Sequence, residues 1–213
     1  MKQFKLIAFD VDGTITQGIS WNRINNLCGI SIQEDSKWHD DYFVRKIITY
    51  DQWIKLLEKR YRESAKTRTE LETVALKTSF IEGAQDIINK LKQIYQVCLI
   101  SSGLDIFVSS VSKQLGISKY YANYTLAYRP DGTVESLNYI STEENAKVQA
   151  LQKICEEKNI KPEEIVFVGD SSNDLDAFVF TRHGILVGTG NEKLKKAAWK
   201  QVGKLKEIET ILL

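Results

Sequence analysis

Apolar positions along this chain fall into two regimes. Phe4-Lys5-Leu6-Ile7-Ala8-Phe9 is almost continuously apolar and gives way at once to Asp10-Val11-Asp12-Gly13-Thr14. A run of this length predicts a buried strand, with a buried helical segment as the alternative that periodicity leaves open. From about Gln17 to Phe80 no strand-like run occurs, and apolar and aromatic residues recur at helical spacing. Ile24, Leu27 and Cys28 share one predicted face, Trp53, Ile54, Leu56, Leu57 and Tyr61 a second, and Leu71, Val74 and Ala75 a third. Asp51 and Thr69 are expected as N-caps.

From Phe80 the pattern alternates. Helices are expected over 84–94, 107–115, 143–157, 175–180 and 191–199, and strands over 97–100, 165–168 and 185–187. Gly116 suits a helix C-terminus. Segments 121–128 and 133–139 flank Pro130-Asp131-Gly132, the chemistry of a small antiparallel hairpin. Strands separated by helices imply an α/β fold, a parallel sheet covered on both faces, with ligands beyond the carboxyl ends of its strands. No repeat or low-complexity segment interrupts the chain.

Composition narrows the function classes. The 213 residues are 43% hydrophobic and 27% charged, with 29 Lys and Arg against 28 Asp and Glu. A formal charge of +1 gives no overall field for nucleic acid or an acidic membrane, so an anionic ligand must be held locally. Cys28, Cys98 and Cys155 lack metal-type spacing and read as reduced thiols, which points to the cytoplasm. The early apolar stretch is broken by Asp10 and Asp12, unlike a signal peptide, and none approaches the roughly 20 residues of a membrane helix. The lysines between Lys193 and Lys206 fit the exposed face of a terminal helix. Gly188-Thr189-Gly190-Asn191 fits a strand-to-helix turn capped by Asn191 better than a phosphate loop.

The chemistry concentrates at strand ends. Asp10 and Asp12 follow the first strand, Ser101 and Ser102 the second, and Asp170 and Asp174 the third, while Lys147 starts the helix before the third. Each has a bland reading; Asp-Gly is also a hairpin signal. On one edge of a parallel sheet they form a phosphoryl-transfer set: a nucleophile, a cation site and fixed donors for the equatorial oxygens. Asp10 is the expected nucleophile, forming an acyl phosphate. Asp12 is the expected acid and base, and Asp170 completes a hard oxygen set for Mg2+. Asn173 and Asp174 are expected to support that ion or reach it through water, and Lys147 and Ser101 to hold phosphate oxygens.

Four ordered motifs carry a resemblance over nearly the whole chain: Asp10-Val11-Asp12-Gly13-Thr14, Ser101 after Val97-Cys98-Leu99-Ile100, Lys147 within Glu144-Asn145-Ala146-Lys147, and Gly169-Asp170-Ser171-Ser172-Asn173-Asp174. The sequence resembles the haloacid dehalogenase-like superfamily and, within it, the phosphoserine phosphatase-like branch. The resemblance implies a Rossmann-like three-layer core formed by residues 1–16 and 81–213 and a helical cap over 17–80. It also implies that Asp10 and Asp170 bind Mg2+ by side chain and Asp12 by its carbonyl, and that the site lies between core and cap. Val11, Asp12, Ser101, Ser102 and Lys147 fall at its phosphate positions, with Thr14 supporting them.

The substrate readers depart from that branch. A glutamate that meets the substrate's amino group is replaced here by Ile19, and a cap arginine by Leu57, with Lys55 close by. A phosphatase that does not prefer phosphoserine is therefore expected, taking a small-molecule phosphate ester as monomer or homodimer. Ile19, Trp21, Arg23, Trp38 and Leu57 are the candidate pocket residues. Trp53, Tyr42, Phe43 and Tyr50 are expected mainly in the cap's own packing, and His39, Arg45 and Lys46 mainly on its surface. A phosphotransferase and a silent ligand-binding member are the alternatives.

Overall fold

The structure, a computed structural model, describes residues 4–213; residues 1–3 of the expected core segment lie outside the described residues. Strand β1 (Leu6–Phe9) is buried along its whole length and is followed by four helices, α1 (Ser20–Leu27), α2 (Ile32–Phe43), α3 (Tyr50–Glu63) and α4 (Arg68–Leu76). The chain then runs α5 (Ala84–Lys92), β2 (Gln96–Leu104), α6 (Asp105–Leu115), β3 (Lys119–Tyr128), β4 (Val134–Tyr139) and α7 (Glu143–Lys158). It ends with β5 (Ile165–Gly169), α8 (Leu175–Thr181), β6 (Gly184–Val187), α9 (Glu192–Ala197), β7 (Lys200–Val202) and α10 (Glu209–Leu212).

The strands form one sheet in the order β4-β3-β2-β1-β5-β6-β7, parallel except for the β3–β4 hairpin. β1 sits between β2 and β5, where the strand order reverses, so the crevice at its carboxyl end is the natural ligand position of an α/β sheet. Two apolar clusters cover the sheet: Ile7, Phe9, Ile88, Leu99 and Val168 belong to one face, and Leu6, Ala8, Ile100, Leu151 and Phe167 to the other. The alternation along β1 follows from the period-two geometry of a strand buried on both sides.

Among the described residues, segment 17–80 contributes helices alone, plus isolated bridges at Thr67 and Phe80. Its entry and exit run side by side: Gln17 N donates to Ser79 O at 2.9 Å and Ile81 N to Ile15 O at 2.9 Å. The helices pack on the hairpin, so Ile54, Leu57 and Tyr61 share a buried cluster with Tyr124, Val134 and Leu137. Glu58 reinforces that seat by accepting from Leu137 N at 3.0 Å.

Several local expectations shift. The N-caps are Thr49 and Thr67, each in a capping box, two residues before the expected Asp51 and Thr69; both threonines take extended backbone and leave the acidic group in the first helical turn. β2 continues through Ser101, Ser102 and Gly103 because β3 keeps pairing with it to Leu104, with a register irregularity between Ser101 and Leu104. The hairpin extends the main sheet instead of standing apart. The expected terminal helix stops at Ala197, and the next residues form edge strand β7, too short for a period-two signal. Its lysines are accordingly divided among α9, β7, the link at 203–204 and the turn at 205–208. Asn191 caps α9 as expected, accepting from Leu194 N at 2.9 Å.

Candidate active site

The carboxyl ends of β1 and β5 bring the acidic groups together. Oxygens of Asp10, Asp170 and Asp174 lie within 4.8 Å of one another. Lys147, 1% exposed, inserts its ammonium among them. Its Nζ lies 2.8 Å from Asp10 Oδ1, 2.5 Å from Asp174 Oδ1 and 2.7 Å from Asn173 Oδ1. Burial would push this lysine down, but the Asp10 and Asp174 carboxylates raise its pKa overall. The acids remain in excess. Burial lifts the Asp10 carboxyl well above the ordinary range; Lys147 opposes that rise, and Asp174 and Asp170 add to it. Asp170 is raised by burial too, against the hydrogen bond from Thr14 Oγ1 at 2.6 Å.

This donor set fits a hard divalent cation, which would relieve an uncompensated group of carboxylates. The three acids differ in availability. Asp174 is fully engaged: Oδ1 meets Lys147, and Oδ2 accepts from Asp170 N at 2.9 Å and Ser171 N at 3.0 Å. Asp10 Oδ2 and Asp170 Oδ2 accept no hydrogen bond among the described residues. Two close approaches hold this arrangement: a Cβ on Gly13, whose φ is +82°, would meet Asp170 Oδ2 at 2.4 Å, and one on Gly169 would meet Asp174 Oδ2 at 2.4 Å.

Asp12 takes a different position from the carboxylate cluster. Its Oδ2 accepts from Ser20 N at 2.9 Å and Ser20 Oγ at 2.6 Å, and its Oδ1 from Thr16 Oγ1 at 3.3 Å. Burial raises its pKa while the Ser20 bonds draw it down. The start of α1 thus holds the Asp12 carboxyl, a role that sequence reasoning missed because Ser20 reads as an ordinary helix start. The turn after β1 is closed by Ile15 N and Thr16 N, both donating to Val11 O at 2.9 Å. Among the described residues the amides of Val11 and Asp12 donate to no acceptor, the property of a phosphate cradle. On β2, Ser101 Oγ accepts from Gly103 N at 3.0 Å, and Ser102 Oγ donates to Glu143 O at 3.4 Å.

These groups open onto a cavity of about 630 Å³ between the sheet edge and the helices of 17–80. Asp10, Asp12, Ser101, Ser102 and Asp170 line its floor, and Ile19, Trp21 and Leu57 its far side. Arg23 and Trp38 do not line it. Arg23 instead spans the entry and exit of the helical segment, donating to Gln17 O and Lys77 O at 3.1 Å each; its guanidinium satisfies carbonyls that neither helix end can serve. Trp38 packs against the apolar cluster of the helices. Arg45 pairs with Asp41 at 3.0 Å, and Lys46 lies over the Tyr42 ring.

Further lining residues come from α2, α3 and α7: Asp35, His39 and Asp40, then Trp53, then Glu143. The Glu143-Glu144 pair reads in sequence as an acidic first turn complementing a helix dipole, which conceals that one member faces the cavity. Glu143 Oε1 accepts from Tyr124 at 3.3 Å, whose hydroxyl also bonds to that of Tyr50.

A family model described as a hydrolase, haloacid dehalogenase-like hydrolase, matches residues 4–179. The chain is 30% identical over 183 residues to a phosphoserine phosphatase of Methanocaldococcus jannaschii, covering 83% of this chain and 82% of the relative. A phosphoserine phosphatase of Archaeoglobus fulgidus is 26% identical over 208 residues, 95% of this chain and 58% of the relative. Among solved structures, a phospho-aspartyl intermediate analogue of phosphoserine phosphatase superimposes with a TM-score of 0.78 at 28% identity, covering 100% of both chains. A substrate-bound phosphoserine phosphatase complex gives 0.78 at 27% identity with the same coverage.

Proposed function

The chain belongs to the haloacid dehalogenase-like hydrolases, within their phosphoserine phosphatase-like branch, and from that premise we propose a Mg2+-dependent phosphomonoester phosphatase working through an aspartyl-phosphate intermediate. The observation that carries this reading is Asp10: a buried carboxylate lining the cavity, with one oxygen on Lys147 and, among the described residues, no hydrogen bond to the other. The core is formed by 4–16 and 81–213 and the cap by 17–80, with the reaction in the cavity between them.

Asp10 and Asp170, with the Asp12 carbonyl, would hold Mg2+, and Asp174 would support them through Lys147 and the backbone. When bound, the ion supplies positive charge to phosphate oxygens and to the attacking carboxylate. Asp10 attacks phosphorus in line, the bond from phosphorus to the leaving oxygen breaks, and Asp12 delivers its proton to that oxygen. Asp12 then takes a proton from water, whose oxygen attacks phosphorus, releases inorganic phosphate and regenerates Asp10. The amides of Val11 and Asp12, the Ser101 hydroxyl and the Lys147 ammonium support the equatorial oxygens as charge develops. The raised pKa of Asp12 suits a group that must hold a proton before delivering it.

Phosphate release from phosphomonoesters with Mg2+, with Asp10→Asn beside the wild type, tests this reading. The expected result is turnover by the wild type and its loss in the variant, with a phosphoryl adduct on Asp10 detected by rapid-quench mass spectrometry. Full turnover by Asp10→Asn overturns the mechanism. Faster transfer to an added alcohol than to water would identify a phosphotransferase.

A further inference from the structure

The cavity carries opposite provisions at its two ends. At the sheet edge lie the carboxylates, with Lys147 buried among them, that the proposed reaction assigns to phosphate and its cation; on the cap side the charged lining is acidic. Asp35, Asp40 and Glu143 line that side together with His39, Trp21 and Trp53, and among the described residues no lysine or arginine lines the cavity. The nearby cations of the cap serve other acids. Lys37 and Arg45 pair with Asp41 at 3.6 and 3.0 Å, and Arg60 pairs with Glu34 at 3.6 Å. Asp40 has only the His39 imidazole at 3.7 Å, and neither Asp35 nor Glu143 has an ion-pair partner among the described residues.

We infer that the leaving group of the substrate carries an ammonium or quaternary ammonium and no carboxylate, held on the cap side by Glu143 and Asp35 beside the Trp21 ring. This inference rests on the phosphatase reading and specifies its substrate class. An anionic leaving group meets three carboxylates without a cation, whereas a cationic one gains Coulomb attraction to the same acids. Tryptophan is also the side chain whose ring attracts a cation most strongly.

One further feature shapes the cap side. Glu143 is held from behind through the Tyr50–Tyr124 hydroxyl pair, so its carboxylate is positioned by bonds and not by a counter-charge. Burial, with Glu144 and Asp35 adding, raises it to about 7 against the Tyr124 bond and the Lys147 charge, so burial and neighbouring acids outweigh the cation nearby. Leu57 lines the cavity where the resemblance places a carboxylate reader; Ile19 stands at the amino-reader position, and that task passes to Glu143 and Asp35.

Paired substrates test this. O-phosphoethanolamine and O-phosphoserine differ by one carboxylate, and phosphocholine and 3,3-dimethylbutyl phosphate differ by one charge at equal shape. The expected kcat/KM favours the cationic, carboxylate-free member of each pair by at least about tenfold. In Glu143→Gln with Asp35→Asn the preference for phosphocholine over its neutral isostere is expected to fall to near parity. Calorimetric titration with choline alone, against 3,3-dimethylbutanol, reads the cation subsite without turnover. Choline binding that this double variant loses supports the inference even if no ester is hydrolysed, an outcome that overturns the phosphatase reading alone. Hydrolysis of p-nitrophenyl phosphate without preference in either pair overturns the inference and leaves the phosphatase intact. Phosphoserine outrunning phosphoethanolamine also overturns it, and absence of both turnover and choline binding overturns both readings.

Discussion

The two walls of the cavity are built on opposite principles. At the sheet edge each carboxylate of the cluster has a partner on at least one oxygen: Lys147 serves Asp10 and Asp174, Thr14 serves Asp170, and backbone amides serve Asp174. On the cap wall, among the described residues, Asp35 and Glu143 have no ion-pair partner. The contrast separates two tasks. Phosphoryl transfer needs groups locked in position before the substrate arrives. Substrate selection works with partners that only the right ligand completes, because leaving them unpaired is what rejects the wrong one.

If the sheet edge is preorganised, damage there is severe and separable from folding in one case but not in another. Asp10→Asn is expected to lower kcat by at least about 10⁴-fold, with unchanged circular dichroism, because the amide keeps the size of the side chain and Lys147 retains Asp174. A variant with more than a tenth of wild-type kcat breaks the comparison at its strongest point. Lys147→Met leaves two buried carboxylates without their cation and is expected to cost about 3–5 kcal/mol. A calorimetric Tm lower by at least about 6 °C is the readout. Mg2+ should restore part of that loss by neutralising Asp10, and a Tm indifferent to both changes would show that the acids are relieved in another way.

The sequence exposes the sheet edge far better than the cap wall, for a physical reason. Asp10, Asp170 and Lys147 follow or precede runs such as Ile165-Val166-Phe167-Val168, whose apolarity reveals a buried strand and hence where its end must lie. Helix α2 offers no such frame. Among its residues Asp41 is the buried one, polar side chains surround it, and its cavity-facing Asp35, His39 and Asp40 look like any solvated helix face. Glu143 is hidden by its similarity to a helix-dipole complement, and Ser20 by its similarity to a helix start. Arg23 and Trp38 show the converse error: both read as candidate pocket residues, but a carbonyl clamp and packing among the helices absorb them. Chain proximity predicts the floor of a site set by strand ends; it does not predict which side chains of an inserted bundle turn inward.

Ser20 is the joint between the walls, since it belongs to the first cap helix yet donates twice to Asp12. Ser20→Ala keeps the backbone bond and removes the hydroxyl bond. Its loss leaves the Asp12 carboxyl less firmly aimed and, because the removed bond favoured the ionised form, raises its pKa further. The expected result is a fall in kcat of about tenfold with the acid limb of the kcat profile moved to higher pH. Stopped-flow phosphate release across pH measures both; a fall in kcat with an unmoved profile would assign Ser20 to cap docking alone.

The smallest effect concerns stability and tests the cap wall without substrate. Glu143 titrates at about 7 in the folded chain against 4.5 for an ordinary glutamate, so the folded state binds its proton more tightly than the unfolded one. Stability therefore declines as pH rises from about 4.5 to about 7, and the decline is complete above that window. Glu143→Gln removes this dependence while keeping an acceptor for the Tyr124 hydroxyl. The variant should match the wild type near pH 4.5 and exceed it at pH 8 by about 1 kcal/mol, a Tm difference of about 2–4 °C. Choline at saturation should narrow that difference, because a cation beside Glu143 does for the carboxylate what the substitution does by neutralising it. A wild type as stable as the variant at pH 8 without any ligand would mean that a counter-charge already serves Glu143, and the two walls would then follow one principle.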